Sequence, residues 1–386
     1  MKSKTIALAY PVELYSNSLF YKLSKTFREL DYNVIAIGVK RGVKESKISV
    51  TKVGFNVGSG SDSSDKIVYI EIPVGIRYAG GMKNFFGIIK YQLLLLKELR
   101  KRVNNIDILY AIDFLMAVPM FFVAVTKGKR FVYHIADKFI DAYKVPKVLK
   151  PFFSFLDSLL IRYAPVIVVP DKSRIDRTLE KYRDKVFVIY NSPEDIFENN
   201  FEFREIPESS NLRLAYFGTL TEDRFIKELC TVVIENGSLE LHIGGLGPLE
   251  DFVLTKAKEC ERIKYYGKVP YDFVLNIQKD VDLLVAMYDP SIENNKRSSP
   301  NKLFEAMMLG KPIIVSQGMG IDEFVKDNNL GFVCEYSINE FSKLISSILK
   351  IDKCNLKLFG SNARKIYEKE YSWSMMKEKI RSFLSW

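Results

Sequence analysis

The chain has 386 residues, 47% hydrophobic and 27% charged, with a formal net charge of +10. That length exceeds one ordinary core and implies two domains, and the composition excludes a disordered chain. The four cysteines, Cys230, Cys260, Cys334 and Cys354, show no CxxC spacing. A metal or disulfide framework is therefore not expected, and the thiols read as reduced side chains of a cytosolic protein.

Near the start, the apolar stretch Thr5-Ile6-Ala7-Leu8-Ala9-Tyr10 is followed at once by Pro11 and Glu13. It is too short for a signal peptide and reads as a first core strand. Further strands are predicted over 33–38, 67–72, 106–111, 130–135, 166–170 and 186–190, with helical patterns between most of them. Several are continuously apolar, as in a parallel sheet covered on both faces. Residues 54–65, rich in Gly and Ser, read as a surface loop. The longest apolar run, 108–125, is broken by Asp113 and Pro119 and resolves into a strand and a helix over 114–126. No membrane span is expected.

Basic residues gather in two amphipathic segments, MKNFFGIIKYQLLLLKELRKR (82–102) and YKVPKVLKPFFSFLDSLLIRY (143–163). Both mix Lys and Arg with aromatic and leucine side chains, as a helix lying on an anionic membrane surface would. A sheet-covering helix with a solvated basic face accounts for them as well. No zinc-knuckle, helix-turn-helix or RNP-like pattern accompanies the charge, so no nucleic-acid partner is expected.

Residues 191–211, NSPEDIFENNFEFREIPESSN, are polar and lack a sustained period, which marks a linker. Beyond it, strands are predicted over 212–217, 239–243, 263–266, 282–287, 312–316 and 331–334. A helical pattern over 355–369 and a terminal amphipathic helix close the chain. The repeated strand–helix alternation predicts an α/β fold of two doubly wound domains. The first spans 1–190 and is joined by the C-terminal helix 371–386; the second spans 191–370.

Open α/β sheets bind ligands beyond the carboxyl ends of their strands. In the second half those ends carry Gly218, then Gly244-Gly245-Leu246-Gly247, Gly267-Lys268-Val269, Tyr288-Asp289-Pro290 and Gln317-Gly318. Glycines permit close backbone approach, and helix N-termini offer N–H groups to an anion such as a diphosphate. Arg224 and Lys302 would supply cationic charge. Glu305 stands out as a carboxylate in a largely apolar helix. Of the two histidines, His242 lies inside a strand and reads as a core imidazole. His134 lies near a strand end, where a crevice is expected, with Asp137 after it.

Four stretches carry a resemblance: YFGTLTEDR (216–224), IGGLGPLEDFV (243–253), YYGKVPYDFV (265–274) and SPNKLFEAMMLGKP (299–312). They resemble retaining glycosyltransferases with two Rossmann-like domains facing a central cleft, the GT-B architecture, and in particular glycosyltransferase family 4. The resemblance implies a nucleotide-sugar donor held by the second domain and an acceptor held mainly by the first. It implies that Glu305 accepts hydrogen bonds from the donor ribose, and that His134 orients a sugar hydroxyl or the acceptor. Arg224 and Lys302 would stabilise the departing diphosphate. The nucleotide-binding set is Gly218, Gly244, Gly245, Gly247, Lys268, Val269, Tyr288, Asn301, Leu303 and Glu305. No metal and no other cofactor is expected, since no Asp-x-Asp pair stands where a divalent ion would bind.

The sequence departs from the family in places. Where relatives carry a second glutamate eight positions before Glu305, this chain has Arg297. The usual Gly-Arg after the first strand of the second domain is Gly218-Thr219, and the early turn over 10–18 lacks Gly-Gly. The expected activity is metal-independent transfer of a hexosyl or N-acetylhexosaminyl group, from a UDP-sugar to a lipid-linked saccharide in cell-surface polysaccharide or glycolipid synthesis. The enzyme would be cytoplasmic and peripherally associated with the inner face of the membrane. A catalytically weak nucleotide-sugar-binding partner is the alternative of another class. A UDP-N-acetylglucosamine 2-epimerase-like enzyme is a further one, poorly served by two histidines.

Overall fold

The computed structural model describes residues 3–14, 17–41, 48–54, 66–74, 85–139, 145–197, 201–202, 211–296 and 298–385. Of residues 41, 54, 66, 85, 86, 353 and 354 it describes the backbone alone. Arg297, most of the 54–65 stretch and much of the linker lie outside the described residues, as do 82–84 and 143–144 of the basic segments. The chain divides into two compact units, Met1–Tyr190 with Lys377–Trp386, and Asn191–Met376.

The first unit holds the strands β1 (Thr5–Ala9), β2 (Asn33–Arg41), β3 (Ser49–Gly54), β4 (Lys66–Val74), β5 (Ile108–Ile112), β6 (Arg130–His134), β7 (Val166–Val169) and β8 (Val186–Val188). They form one sheet in the order β3-β4-β2-β1-β5-β6-β7-β8, parallel except where β3 runs antiparallel to β4. Central β1 pairs Ala7 with Ile35 on one side and Leu109 on the other. One face, with Ala7, Ile37, Leu109, Phe131 and Ile167, meets apolar side chains of the helices Phe85–Arg102, Phe114–Lys127 and Lys150–Tyr163. Toward the opposite face lie the helix Ser18–Glu29, whose Phe27 ring is 5.2 Å from Tyr110, and the C-terminal helix, whose Phe383 ring is 5.1 Å from Phe187.

Local chemistry explains the element bounds. Asn17 caps the first helix by accepting from the Phe20 amide at 3.0 Å. The helix Phe114–Lys127 ends at Gly128 in the left-handed region, φ 61°. Pro119 inside that helix cannot donate to the Leu115 carbonyl, and the Gln92 side chain of the neighbouring helix does so instead, at 2.5 Å. Among the described residues no helix is long and apolar enough to cross a membrane.

One strand was absent from the sequence expectation. β3 (SVTKVG) is an edge strand with Val50, Thr51 and Lys52 all exposed and Val53 buried, so one buried side chain imposes no sustained apolar period on it.

The second unit is a six-stranded parallel sheet in the order β11-β10-β9-β12-β13-β14. Its strands are β9 (Leu212–Phe217), β10 (Leu239–Gly244), β11 (Ile263–Tyr265), β12 (Leu283–Ala286), β13 (Ile313–Ser316) and β14 (Gly331–Cys334). Strand order reverses between β9 and β12, so the connections after them diverge and leave a crevice at their carboxyl ends. Arg364, 4% exposed, ties this unit together. Its guanidinium bonds Asp195 at 3.1 and 2.5 Å, Glu368 at 2.7 Å and the Met308 carbonyl at 2.6 Å. The start of the linker, the helix Lys353–Ile366 and the end of the helix Asn301–Leu309 are thereby fastened to one another.

Candidate functional site

The carboxyl edge of the second sheet is built from loops pressed backbone to backbone. The Gly218 amide donates to the Gly244 carbonyl at 3.0 Å, Leu220 to Leu246 at 3.0 Å, and Gly245 to Gly267 at 2.7 Å. A Cβ on Gly245 would lie 1.7 Å from the Gly218 carbonyl oxygen, and its φ of +135° excludes most side chains as well. A Cβ on Gly247 would lie 2.3 Å from the Leu220 oxygen, and one on Gly244 would lie 2.6 Å from the Phe217 ring. These three glycines are therefore required by contacts within the protein. Gly218 differs: its added Cβ would meet the Lys302 ammonium at 2.8 Å.

Lys302 and Arg224 meet around Tyr288. The Lys302 ammonium, 7% exposed, lies 4.4 Å from the Tyr216 ring centre and 5.6 Å from that of Tyr288, and donates to the Tyr288 hydroxyl at 3.4 Å. Burial acts to lower its pKa, but Tyr288, Tyr216 and Glu305 outweigh burial and hold it raised. It is a buried cation at neutral pH. The Arg224 guanidinium lies 3.7 Å from the Tyr288 ring centre, a cation–π stack. Tyr288 is fixed in turn by its amide, which donates to the Ser316 hydroxyl at 2.8 Å.

Asn295, 2% exposed, orients Arg224. Its amide oxygen accepts from Arg224 at 2.9 Å, and its nitrogen donates to Asp223 at 3.2 Å and to the Asp289 carbonyl at 3.0 Å. Asp223 also pairs with Arg224 at 3.2 Å. Burial works against the Asp223 charge, but Thr221, Arg224 and Asn295 together hold its pKa below the ordinary value.

The helix Asn301–Leu309 starts after Pro300 without a side-chain cap. Leu303, whose side chain is buried, donates its amide to Pro300 at 3.0 Å, so that group is engaged within the protein. The Asn301 side chain accepts from Asn191 at 2.8 Å. Glu305 does not point to solvent: it is 5% exposed and accepts from the Tyr271 hydroxyl and the Gln278 amide, each at 3.1 Å. Burial first, then the Glu305 charge, pushes the Tyr271 phenol well above its usual pKa, so it remains a donor. An ionised carboxylate accepts about four hydrogen bonds, so each Glu305 oxygen retains capacity for another donor.

Lys268 (exposed) and Val269 (half-buried) follow β11, an edge strand separated from β9 by β10. The structure brings Gly218, Tyr288, Arg224 and Lys302 together around the Tyr216 and Tyr288 rings. Sequence reasoning missed Asn295, Asp223, Tyr216, Tyr271 and Gln278. Only Asn295 and Gln278 lie outside the motif stretches, and neither carries a local signal. Among the described residues no three His, Cys, Asp or Glu side chains gather as metal ligands.

In the first unit, His134 ends β6 but is fully enclosed. Its Nδ1 bonds the Tyr110 hydroxyl at 3.0 Å, while its buried Nε2 has no partner among the described residues. Burial lowers its pKa to about 3, so the ring is neutral. Asp113, at the end of β5, holds φ 66° and ψ 159°, an uncommon backbone for a non-glycine residue. Its Oδ1 accepts from the Ala136 and Asp137 amides, both at 3.1 Å. Burial first, then the nearby Asp137 charge, raises its pKa to about 7.

Residues 212–350 match the family model described as "Glycosyl transferases group 1". Whole-chain structural likeness extends to Anabaena HepE in complex with UDP (13% identity, TM-score 0.68, 99% of each chain covered). It extends also to sucrose-phosphate synthase from Thermosynechococcus elongatus (13%, TM-score 0.70, covering 99% of this chain and 98% of that one). A glycosyltransferase from Rickettsia africae gives 16% identity and a TM-score of 0.66, with 99% of this chain and 98% of that one covered. At such identities the likeness establishes the fold, two Rossmann-like α/β units of the GT-B type. No curated protein matches the sequence.

Proposed function

Because the second unit carries a group 1 glycosyltransferase domain on a GT-B fold, we propose that the protein transfers a sugar from a nucleotide-sugar donor to a saccharide acceptor, with retention. The observation that carries this reading is the pair of cations, Arg224 and Lys302, at the Tyr288 aromatic face beside a helix N-terminus. Such a pair of cations suits a diphosphate, and Glu305, one turn further along, suits two vicinal hydroxyls of a ribose. As the sugar–phosphate bond breaks, negative charge grows on the departing diphosphate. Preorganised cations lower that barrier, each by about 3 kcal/mol or roughly a hundredfold in rate.

UDP is the favoured nucleotide, supported by the HepE complexes with UDP and with UDP-glucose. The transferred group would be hexosyl or N-acetylhexosaminyl, and the acceptor a lipid-linked saccharide of cell-surface polysaccharide or glycolipid synthesis. Arg224 and Lys302 do the work of charge neutralisation in this reading, so transfer needs no divalent metal and persists in a chelator. His134, neutral and enclosed, has no assigned contact with substrate.

The test is a thermal-shift screen of UDP, GDP, dTDP, ADP and CMP on the wild type and on Glu305→Ala. Saturation at about a hundred times Kd adds about 2.7 kcal/mol of stability. UDP should stabilise the wild type and not the variant. No shift with any nucleotide would refute the reading. Binding without donor hydrolysis or transfer would leave a nucleotide-sugar-binding partner.

A further inference from the structure

The first unit carries a surface that the donor site does not use. The helices Phe85–Arg102, Phe114–Lys127 and Lys150–Tyr163 lie side by side over one sheet face. Their outer sides are apolar as well as their inner ones. Leu93, Phe122, Val125, Phe152 and Phe155, with Val148 just before the third helix, are each more than half exposed. They follow helical stripes: Val118, Phe122 and Val125 on the second helix, Phe152 and Phe155 on the third. In the second unit, exposed apolar side chains such as Leu254, Phe273 and Leu358 stand singly on separate helices.

Cations share this surface. Lys90, Leu93, Lys97 and Arg100 recur along one exposed stripe of the first helix. Leu93, Leu96, Lys97, Arg100 and Lys101 line a shallow depression there. Lys127, Lys147, Lys150 and Arg162 continue the charge across the other two helices. No acidic side chain on these helices opposes it. Glu98, with 3% of its side chain exposed, is bound to Lys101 and Arg102, and Asp157 accepts from the Tyr133 hydroxyl at 2.6 Å.

We propose that this three-helix face docks on an anionic lipid bilayer. The chemistry selects that occupant over a protein. Lysine is depleted at protein–protein interfaces, whereas Phe, Leu and Val interleaved with Lys and Arg suit the headgroup–acyl boundary. The apolar side chains enter it while the long basic ones reach back to lipid phosphates. The proposal deepens the transferase reading, because a docked first unit would meet a lipid-linked acceptor at the membrane surface. Its test does not depend on that reading.

The experiment is flotation of the purified protein with phosphatidylcholine vesicles, with and without phosphatidylglycerol, at low and high salt. The wild type should float with the anionic vesicles only, and salt should release it. Lys90→Ala with Lys97→Ala should lower the partition coefficient by about twenty-five-fold, about fivefold per cation. Phe122→Ser with Val125→Ser should also weaken flotation, and the binding that remains, carried by the basic side chains, should be released at lower salt than in the wild type. The UDP thermal shift on the same samples reports separately on the second unit, so a failed donor reading and a failed docking surface are told apart. A wild type that stays unbound to both vesicle types overturns the proposal. So does flotation that is indifferent to lipid charge and to both variants, or a stable dimer that these variants dissociate.

Discussion

Arg224 lies where a local sequence reading put a cation, yet its usefulness depends on a residue that no motif marks. Asn295 spans Arg224, Asp223 and the Asp289 carbonyl, all buried or half-buried, and so holds the guanidinium against the Tyr288 ring. In Asn295→Ala, Asp223 keeps its direct contact with Arg224, but the guanidinium loses the amide oxygen that holds it against the ring. UDP affinity should then fall by about tenfold, the worth of one hydrogen bond to a charged group, while uridine affinity is unchanged. Calorimetric titration with both ligands checks this; equal losses would mean a general structural fault. Glu305 was conspicuous in the sequence as a carboxylate among apolar neighbours. Its actual partners, Tyr271 and Gln278, were not legible, because they stand 34 and 27 residues away on another helix.

The ends of β5 and β6 show what elements add to residues. Asp113 and His134 sit on adjacent strands, linked by the Asp113 amide donating to the His134 carbonyl at 2.8 Å. Their ionisations are shifted in opposite directions. Asp113 titrates near 7 folded against 3.8 unfolded, so the native state holds the extra proton and its stability falls as pH rises through that window. His134 titrates near 3 folded against 6.5 unfolded, so the unfolded state holds the extra proton and stability falls as pH drops through 6.5. Between about pH 4 and 6.5 each contributes about 1.4 kcal/mol per pH unit with opposite sign, so in the wild type these two contributions nearly cancel. Asp113→Asn leaves the His134 slope, so its urea stability should decline steadily on acidification. His134→Gln should show the reverse, gaining stability relative to the wild type as pH drops. Parallel profiles for all three proteins would disprove the coupling. The elements themselves were largely readable, since continuous apolar runs such as Ile108–Ile112 belong to strands buried on both faces. β3 was not, because an edge strand with Val53 buried and Val50 to Lys52 exposed carries no apolar period. Nor was the Gln92 bond that lets Pro119 sit inside a helix.

At the scale of the whole molecule, the chain leaves its first unit at Tyr190 and returns to it at Lys377. The returning segment completes the first core: Ile380, Phe383 and Leu384 are at most 2% exposed, and Lys377 is paired with Glu29. Burial of three such side chains contributes about 5–9 kcal/mol as an upper bound, comparable with the total stability of a domain. Truncation after Met376 should therefore unfold the first unit and spare the second. Scanning calorimetry should show one remaining transition, and UDP should still raise it. Loss of both transitions, or of neither, would contradict this division. The sequence by itself determined the two α/β domains, the parallel sheets and the stretches that line the second sheet's carboxyl edge. Those features rest on periodicity, strand-end glycines and caps, all of which act between near neighbours in the chain. Only the tertiary structure decided that Gly244, Gly245 and Gly247 are required by the Phe217 ring and by the Gly218 and Leu220 backbones, that Lys302 and Arg224 meet at Tyr288, and that His134 is enclosed. Those outcomes depend on which distant side chains burial brings together; desolvation then keeps His134 neutral, while the groups around Lys302 outweigh it and keep that side chain charged.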